Sequence, residues 1–287
     1  VDEISGAVSA IREKMVQIVI PENSIDIVGT GGDGFGTYNI STTVAFVLAG
    51  CGVNVAKHGN RSVSSLSGSS DILTELSVNI NLSPSSLTKC IEETNICFMF
   101  APMHHQSFKY VANTRKELGV RTIFNLLGPL CNPGNVKNHL IGVYDKKWVN
   151  PIARTLHQLG SKKAWVVHGK DGLDELTTTD KNYVTELCNG ECKEFEISST
   201  DYSINKTNIS KLKGGHPKEN AHELLKVLNG EKNEYRDIVL LNSSAGLLIL
   251  NKCKDISEGI EIAKESIDSG NAIASLNKLI ETSNKLK

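Results

Sequence analysis

The chain has 287 residues, with 31 Lys and Arg against 32 Asp and Glu, a formal net charge of −1, and 39% hydrophobic residues. That balance leaves no basic footprint for nucleic acid, and no apolar run approaches the ~20 residues that cross a bilayer. The seven cysteines are scattered and odd in number, and Cys188 and Cys192 lack the second pair or His of a zinc pattern, so reduced thiols and a cytoplasmic location are expected.

At ~100–200 residues per domain, the length suits one large α/β domain or one and a fraction. Residues 1–19 read as a separate helix, with a boundary at Pro21-Glu22-Asn23. Residues 25–28 form a short apolar strand, followed by a glycine-rich turn and a helix over 43–49. A second strand is predicted at 53–56, ending in a cationic segment that begins at Lys57. Gly68 precedes another helix start that continues through 72–76, and Ser83-Pro84 caps a helix carrying Leu87, Cys90 and Ile91 at helical spacing. Residues 96–100 are a continuous apolar strand, and 108–118 a helix closed by Gly119. A strand at 139–144, a helix at 148–159 stopped by Gly160 and a strand at 164–168 follow. Residues 183–187 and 193–197 alternate around Asn189-Gly190, a hairpin signal. From 217 to 286 the chain reads as helical, with Gly230, Gly259 and Gly270 as breaks. This alternation predicts an α/β fold: a mostly parallel sheet with helices on both faces.

The most informative stretch is Gly29-Thr30-Gly31-Gly32-Asp33-Gly34, between the first strand and the first helix of that domain. Glycines let the backbone turn tightly and approach a ligand. Successive amides and the helix start then form an anion site. The spacing satisfies G-x-G-x-x-G, but a dinucleotide site wants an acidic residue about 20 positions further on, where this chain has Lys57-His58-Gly59-Asn60-Arg61. No Gly-Lys-Ser/Thr of a P-loop follows either. A sugar phosphate or pyrophosphate is the remaining reading. Asp33 suits such a loop only beside sugar hydroxyls or a metal. The second loop offers Lys57 as a compact mobile charge, Arg61 as a planar fork, serine hydroxyls and loop amides, and the helix start after Gly68 offers a second amide cluster.

Taken together, Gly29-Thr30-Gly31-Gly32-Asp33, Asn39-Ile40-Ser41-Thr42, Lys57-His58-Gly59-Asn60-Arg61, Asn125-Leu126-Leu127-Gly128-Pro129-Leu130-Cys131-Asn132-Pro133 and His168-Gly169-Lys170-Asp171-Gly172-Leu173-Asp174-Glu175 resemble the signatures of the anthranilate phosphoribosyltransferases. The resemblance runs in register through the chain. It implies transfer of a phosphoribosyl group from phosphoribosyl pyrophosphate (PRPP) to anthranilate in tryptophan biosynthesis, with Mg²⁺, in a homodimer. Members of that family carry several helices ahead of the position of Val1. Residues 1–20 are therefore expected as the remnant of a small helical domain, and 21–287 as the phosphoribosyltransferase domain.

Carried over residue by residue, the resemblance implies a PRPP site from Gly29, Gly32, Asp33, Thr37, Asn39, Ile40, Ser41 and Thr42 in the first loop. The second loop adds Lys57, His58, Gly59, Asn60, Arg61, Ser62, Val63, Ser64, Ser65 and Ser69. Gly29, Asn60, His105 and Arg115 are expected around anthranilate, with Arg115 facing its carboxylate and His58 lining the same pocket. Ser41, Asp174 and Glu175 are the expected metal ligands. No catalytic base is required. Leu66 and Gln106 depart from the usual polar residue and proline at their positions. Two other classes stay open here: a nucleoside phosphorylase relative, whose own signatures do not match the first two blocks, and a non-catalytic binding protein on the same fold, which would lose the loop or the acidic pair.

Overall fold

The computed structural model describes residues 1–62, 66–106, 117 and 122–286. A first helix, α1 (Asp2–Lys14), leads to β1 (Ile25–Gly29), α2 (Ile40–Gly50), β2 (Val55–Gly59), α3 (Ser69–Glu75), α4 (Pro84–Thr94) and β3 (Ile96–Phe100). The short helices α5 (Ala101–His104) and α6 (Phe124–Leu127) precede β4 (Asn138–Gly142), α7 (Val149–Gln158) and β5 (Lys163–Gly169). A hairpin of β6 (Lys181–Cys188) and β7 (Glu191–Ser198) follows, then α8 (Pro217–Leu228), α9 (Glu234–Ile249), α10 (Ile256–Asp268) and α11 (Asn271–Lys285).

The described strands form one sheet in the order β3-β2-β1-β4-β5-β6-β7. Pairing is parallel from β3 to β5 and antiparallel through β6 and β7. The expected α/β fold is therefore present, and the hairpin turns at Asn189 and Gly190, both at positive φ. Alternate residues of β4 and β5 feed two cores. Leu140, Trp165 and Val167 join a large cluster with α2, α4 and α9 to α11, whereas Ile141, Val143, Ala164 and Val166 join a smaller one with α1, α6 and α7. Period-two alternation within continuous apolar strands is what a sheet covered on both faces requires.

Three differences from the predicted elements have a packing cause. The second strand runs on through Lys57 and His58, because those side chains are buried and paired rather than solvated. The first helix stops at Lys14 rather than continuing to Val19. Gly259 does not break the C-terminal helices; it lies inside α10, where a Cβ would crowd Ser244 of α9. The helix predicted over 108–118 falls outside the described residues, Glu117 apart. Strand order reverses between β1 and β4, and ligands of open α/β sheets bind at the carboxyl ends of strands at such a point.

Candidate active site

At that point β1 ends in the glycine loop. Gly31, Gly32, Gly34 and Gly36 have φ of 66°, 77°, 86° and 62°, a region costly for residues with a Cβ. The loop is pinned behind by Thr37, which bridges Lys213, and by Tyr38, whose N–H donates to Leu212 O at 2.9 Å. Asn39 is a hub: its amide donates to Ser67 O (3.2 Å) and its Oδ1 accepts from Asn220 (2.9 Å) and Ser67 Oγ (3.3 Å). Those bonds tie the start of α2 to the second loop and to α8. Ile40 and Thr42 are buried, so of the expected first-loop residues these two face the interior.

The acidic pair lies in the connection from β5 to β6. Asp171 ties this loop together by accepting from Leu173 N (3.1 Å), Thr177 Oγ1 (2.8 Å) and Thr179 Oγ1. Asn242 of α9 brackets Leu176, accepting its N–H and donating to its carbonyl. Held this way, Asp174 and Glu175 are each only 8% exposed. A solvated surface turn, which Asp-Gly ahead of the pair would suggest, is thereby excluded. Asp174 Oδ2 accepts the Gly31 N–H at 2.6 Å. One amide of the expected phosphate cradle is thus turned to a carboxylate.

Desolvation, then the nearby Asp33, push the Asp174 carboxyl up to about 7, against the pull of the Gly31 amide. Desolvation and Asp174 push Glu175 up to about 8, against Lys57 and the Ser41 amide. Asp33 also accepts the Phe35 N–H at 3.2 Å. Among the described residues no three His, Cys, Asp or Glu side chains converge to hold a metal ion. The oxygen donors present suit a hard cation: two buried carboxyls beside Asp33, with the Ser41 hydroxyl at the start of α2.

Lys57 differs from the mobile charge expected of it. Its ammonium is buried, donating to Ile27 O at 2.6 Å and to Ser41 Oγ at 3.1 Å. Burial pulls its pKa down, while Asp26 and Glu175 push it back up. Gly59 has no room for a side chain, since a Cβ there would overlap Ser69 Oγ and approach Phe98. Asn60 and Arg61 are exposed at the mouth, and Ser69 Oγ donates to Asn60 O at 3.2 Å. Where the second amide cluster is expected, ahead of α3, Asp71 Oδ2 accepts from Gly68 N (2.9 Å) and Ser62 N (3.2 Å), and Ser70 N donates to Asn60 O (3.3 Å).

His58 and His105 face each other, Nε2 to Nε2 at 3.1 Å, with rings in an edge arrangement. Burial, then neighbouring histidines, hold His58 well below the ordinary histidine value, and burial pulls His105 down to about 4. Both rings are therefore neutral near pH 7. The carbonyls of Gly128 and Cys131, in the fourth signature block, lie against these rings. Of the expected residues, Val63, Ser64, Ser65 and Arg115 lie outside the described residues. Sequence reasoning missed Asp26, Gly142, Asn220 and Asn242. Only Gly142 left a signal, as a glycine inside the strand predicted at 139–144.

Comparison with known proteins places this geometry. Residues 21–273 match the description "Glycosyl transferase family, a/b domain". The chain is 52% identical over 285 residues to a protein of Chelativorans sp. (strain BNC1) named anthranilate phosphoribosyltransferase, covering 99% of this chain and 84% of that protein. A protein of the same name from Afipia carboxidovorans is 51% identical over 283 residues, with the same coverage. The crystal structure of anthranilate phosphoribosyltransferase from Thermus thermophilus superposes with a TM-score of 0.93 at 39% identity, covering 98% of this chain and 84% of that one. The Saccharomyces cerevisiae enzyme in complex with PRPP and Mg gives 0.90 at 32% identity, covering 99% and 80%.

Proposed function

The chain belongs to the anthranilate phosphoribosyltransferase family of pentosyl-transferring enzymes and moves the phosphoribosyl group of PRPP to anthranilate in tryptophan biosynthesis; we propose that the cleft over β1, β2 and β4 carries out this step. The products are N-(5-phosphoribosyl)anthranilate and pyrophosphate. The observation that carries the assignment of the cleft is the buried Asp174–Glu175 pair laid against the glycine loop.

Displacement at the ribose C1 passes through a cation-like sugar, and negative charge gathers on the leaving pyrophosphate. Donors preorganised around that charge lower the barrier. In our reading Gly32, Asp33, Thr37, Asn39, Ile40, Ser41 and Thr42 form the first wall, where the Ile40 amide donates to Tyr38 O and the Ser41 amide to Glu175. Lys57 to Ser65 and Ser69 supply the second. Lys57 supplies its positive charge from beneath, anchored at Ile27 and Ser41. Asp33 suits the ribose hydroxyls. Ser41, Asp174 and Glu175 would hold Mg²⁺, which when bound neutralises charge on pyrophosphate. Gly29, Asn60, His105 and Arg115 orient anthranilate, with Arg115 the partner of its carboxylate. The arylamine needs orientation more than activation, and no base is assigned.

By the same family reasoning we propose a homodimer acting on small molecules in the cytoplasm. No helix among the described residues is long and apolar enough to cross a membrane. The catalytic domain is proposed as residues 21–287, with α1, which packs on its smaller core, as part of a second, helical unit. The decisive experiment follows anthranilate fluorescence with PRPP and Mg²⁺. The signal should fall with protein concentration, and a constant signal would overturn the reading.

A further inference from the structure

The β1–β2 pairing is short. β1 matches β4 over five residue pairs and β2 matches β3 over five, yet β1 and β2 share only Ile25↔Val55. The next rung of a parallel ladder would join Ile27 N–H to Ala56 O and His58 N–H to Ile27 O. Instead, side chains occupy the main-chain groups of that rung. The His58 N–H donates to Asp26 Oδ1 at 3.1 Å, and the Ile27 amide faces the same carboxylate. Ile27 O accepts from Lys57 Nζ at 2.6 Å, and Ala56 O accepts from Asn132 Nδ2 at 2.9 Å. Asn132 Nδ2 also donates to Asp26 Oδ2 at 2.7 Å. Asp26, Asn132 and Lys57 are all buried, at 0%, 0% and 3% exposure.

Buried main-chain groups must find partners. Here the partners are supplied by three residues from separate parts of the chain, immediately below the cleft. An apolar residue at position 26 would leave the ordinary rung as the way to satisfy Ile27 and His58. The strands would then close together at the end where the two loops diverge.

We propose that Asp26 is a positioning residue of the transfer reaction: its carboxylate stands in for a missing main-chain rung between β1 and β2, and so fixes where Lys57 and His58 sit beside the glycine loop. This rests on the function proposed above. Asp26 does not reach the cleft itself. It acts through the strand end that carries Lys57 and His58, and through Asn132, which ties the fourth signature block to the same point.

The test is Asp26→Asn in the full chain. The variant keeps the shape but turns one amide donor toward either the His58 N–H or the Asn132 amide. The PRPP KM should rise roughly tenfold or more, the change that a lost charge-assisted hydrogen bond carries, with a smaller change in the anthranilate KM. Asn138→Ala is the control. It removes a buried contact to Ser24 O (3.1 Å) at the opposite end of the sheet, and should lower the melting temperature without moving either KM. A PRPP KM within about twofold of wild type in Asp26→Asn, or the same rise in Asn138→Ala, would overturn the proposal. Where Asp26→Asn fails to fold, Asn132→Ser is read by the same two outcomes. The unaltered chain is assayed alongside. Its inactivity would overturn the functional reading and this role with it, whereas an active wild type beside an unchanged Asp26→Asn overturns this role alone.

Discussion

Gly29 and Gly142 are register partners at the carboxyl ends of β1 and β4, and Asp174 lies over both of them. A Cβ at Gly29 would overlap the Asp174 carboxyl, and one at Gly142 would overlap its main-chain carbonyl. Two facing glycines thus form the bed on which the acidic loop crosses the sheet.

Gly142→Ala is expected to lift Asp174 from this bed. Overpacking of this kind costs about 1–3 kcal/mol, and turnover should fall by at least an order of magnitude as the carboxyl leaves the Gly31 amide. Gly6→Ala, where a Cβ meets nothing within 4 Å, is the control. Thermal denaturation and initial rates decide; normal values of both for Gly142→Ala would mean that Asp174 is not seated there.

Asp174→Asn with Glu175→Gln should cut turnover by orders of magnitude and move the Mg²⁺ dependence to higher concentration. Metal stabilisation of leaving-group charge contributes several kcal/mol to a transition state. The fold itself should survive, because burial holds both carboxyls up, aided by Asp33 at Asp174 and by Asp174 at Glu175. An unaltered Mg²⁺ titration with normal rates would remove the pair from the chemistry.

Arg115→Ala should raise the anthranilate KM by roughly tenfold or more, the effect of losing a charged hydrogen bond of about 1.5–3 kcal/mol. The PRPP KM should change little, since both phosphate loops remain. Steady-state kinetics with each substrate varied separately checks this; an unmoved anthranilate KM takes Arg115 out of the pocket.

His139 supplies a pH dependence away from the cleft. It is buried with Nε2 at 3.1 Å from Ser161 Oγ. Burial first, then Arg12, pull its pKa down to about 3. The unfolded chain takes up this proton near pH 6.5 while the folded chain does not. The stabilising contribution is therefore full above about pH 6.5 and is lost as pH falls toward 3. Within that window each pH unit costs about 1.4 kcal/mol. His139→Gln should have a shallower fall in stability on acidification than wild type, measured by denaturant unfolding from pH 7 to 4; parallel curves would contradict the assignment.

Much of the architecture is legible in the sequence because its signals are local. The apolar strands at β1, β3 and β5, the Ser83 cap and the Asn189-Gly190 turn each specify their own conformation from neighbouring residues. The glycine loop is legible as a loop, and the acidic pair as a pair. Their contact is not, because it joins Gly31 to a residue 143 positions away. Lys57 reads as mobile for the same reason: a basic residue after an apolar run looks like a strand end until Asp26 and Glu175 are placed around it. Asn242 and Asn220 sit in helical stretches with nothing in their own sequence context to distinguish them from solvated asparagines.

The substituted rung between β1 and β2 also orders events during folding. Asn132 lies 106 residues beyond Asp26, whereas Ile27 and Lys57 are only 30 apart. Distant contacts form after nearby ones, since the intervening chain must first be closed into a loop. A chain that has made β1 and β2 but not yet docked residue 132 has every main-chain group for the ordinary rung in hand. It can zip one step too far. Reaching the native state then requires that step to reopen as Asn132 arrives. In pulse-labelled refolding, the amides of Ile27 and His58 should therefore gain early protection together with that of Ile25, which donates to Asn54 O, and pass through a second, later phase of labelling when that step reopens, so that the cleft is the last part of this sheet to take its working shape.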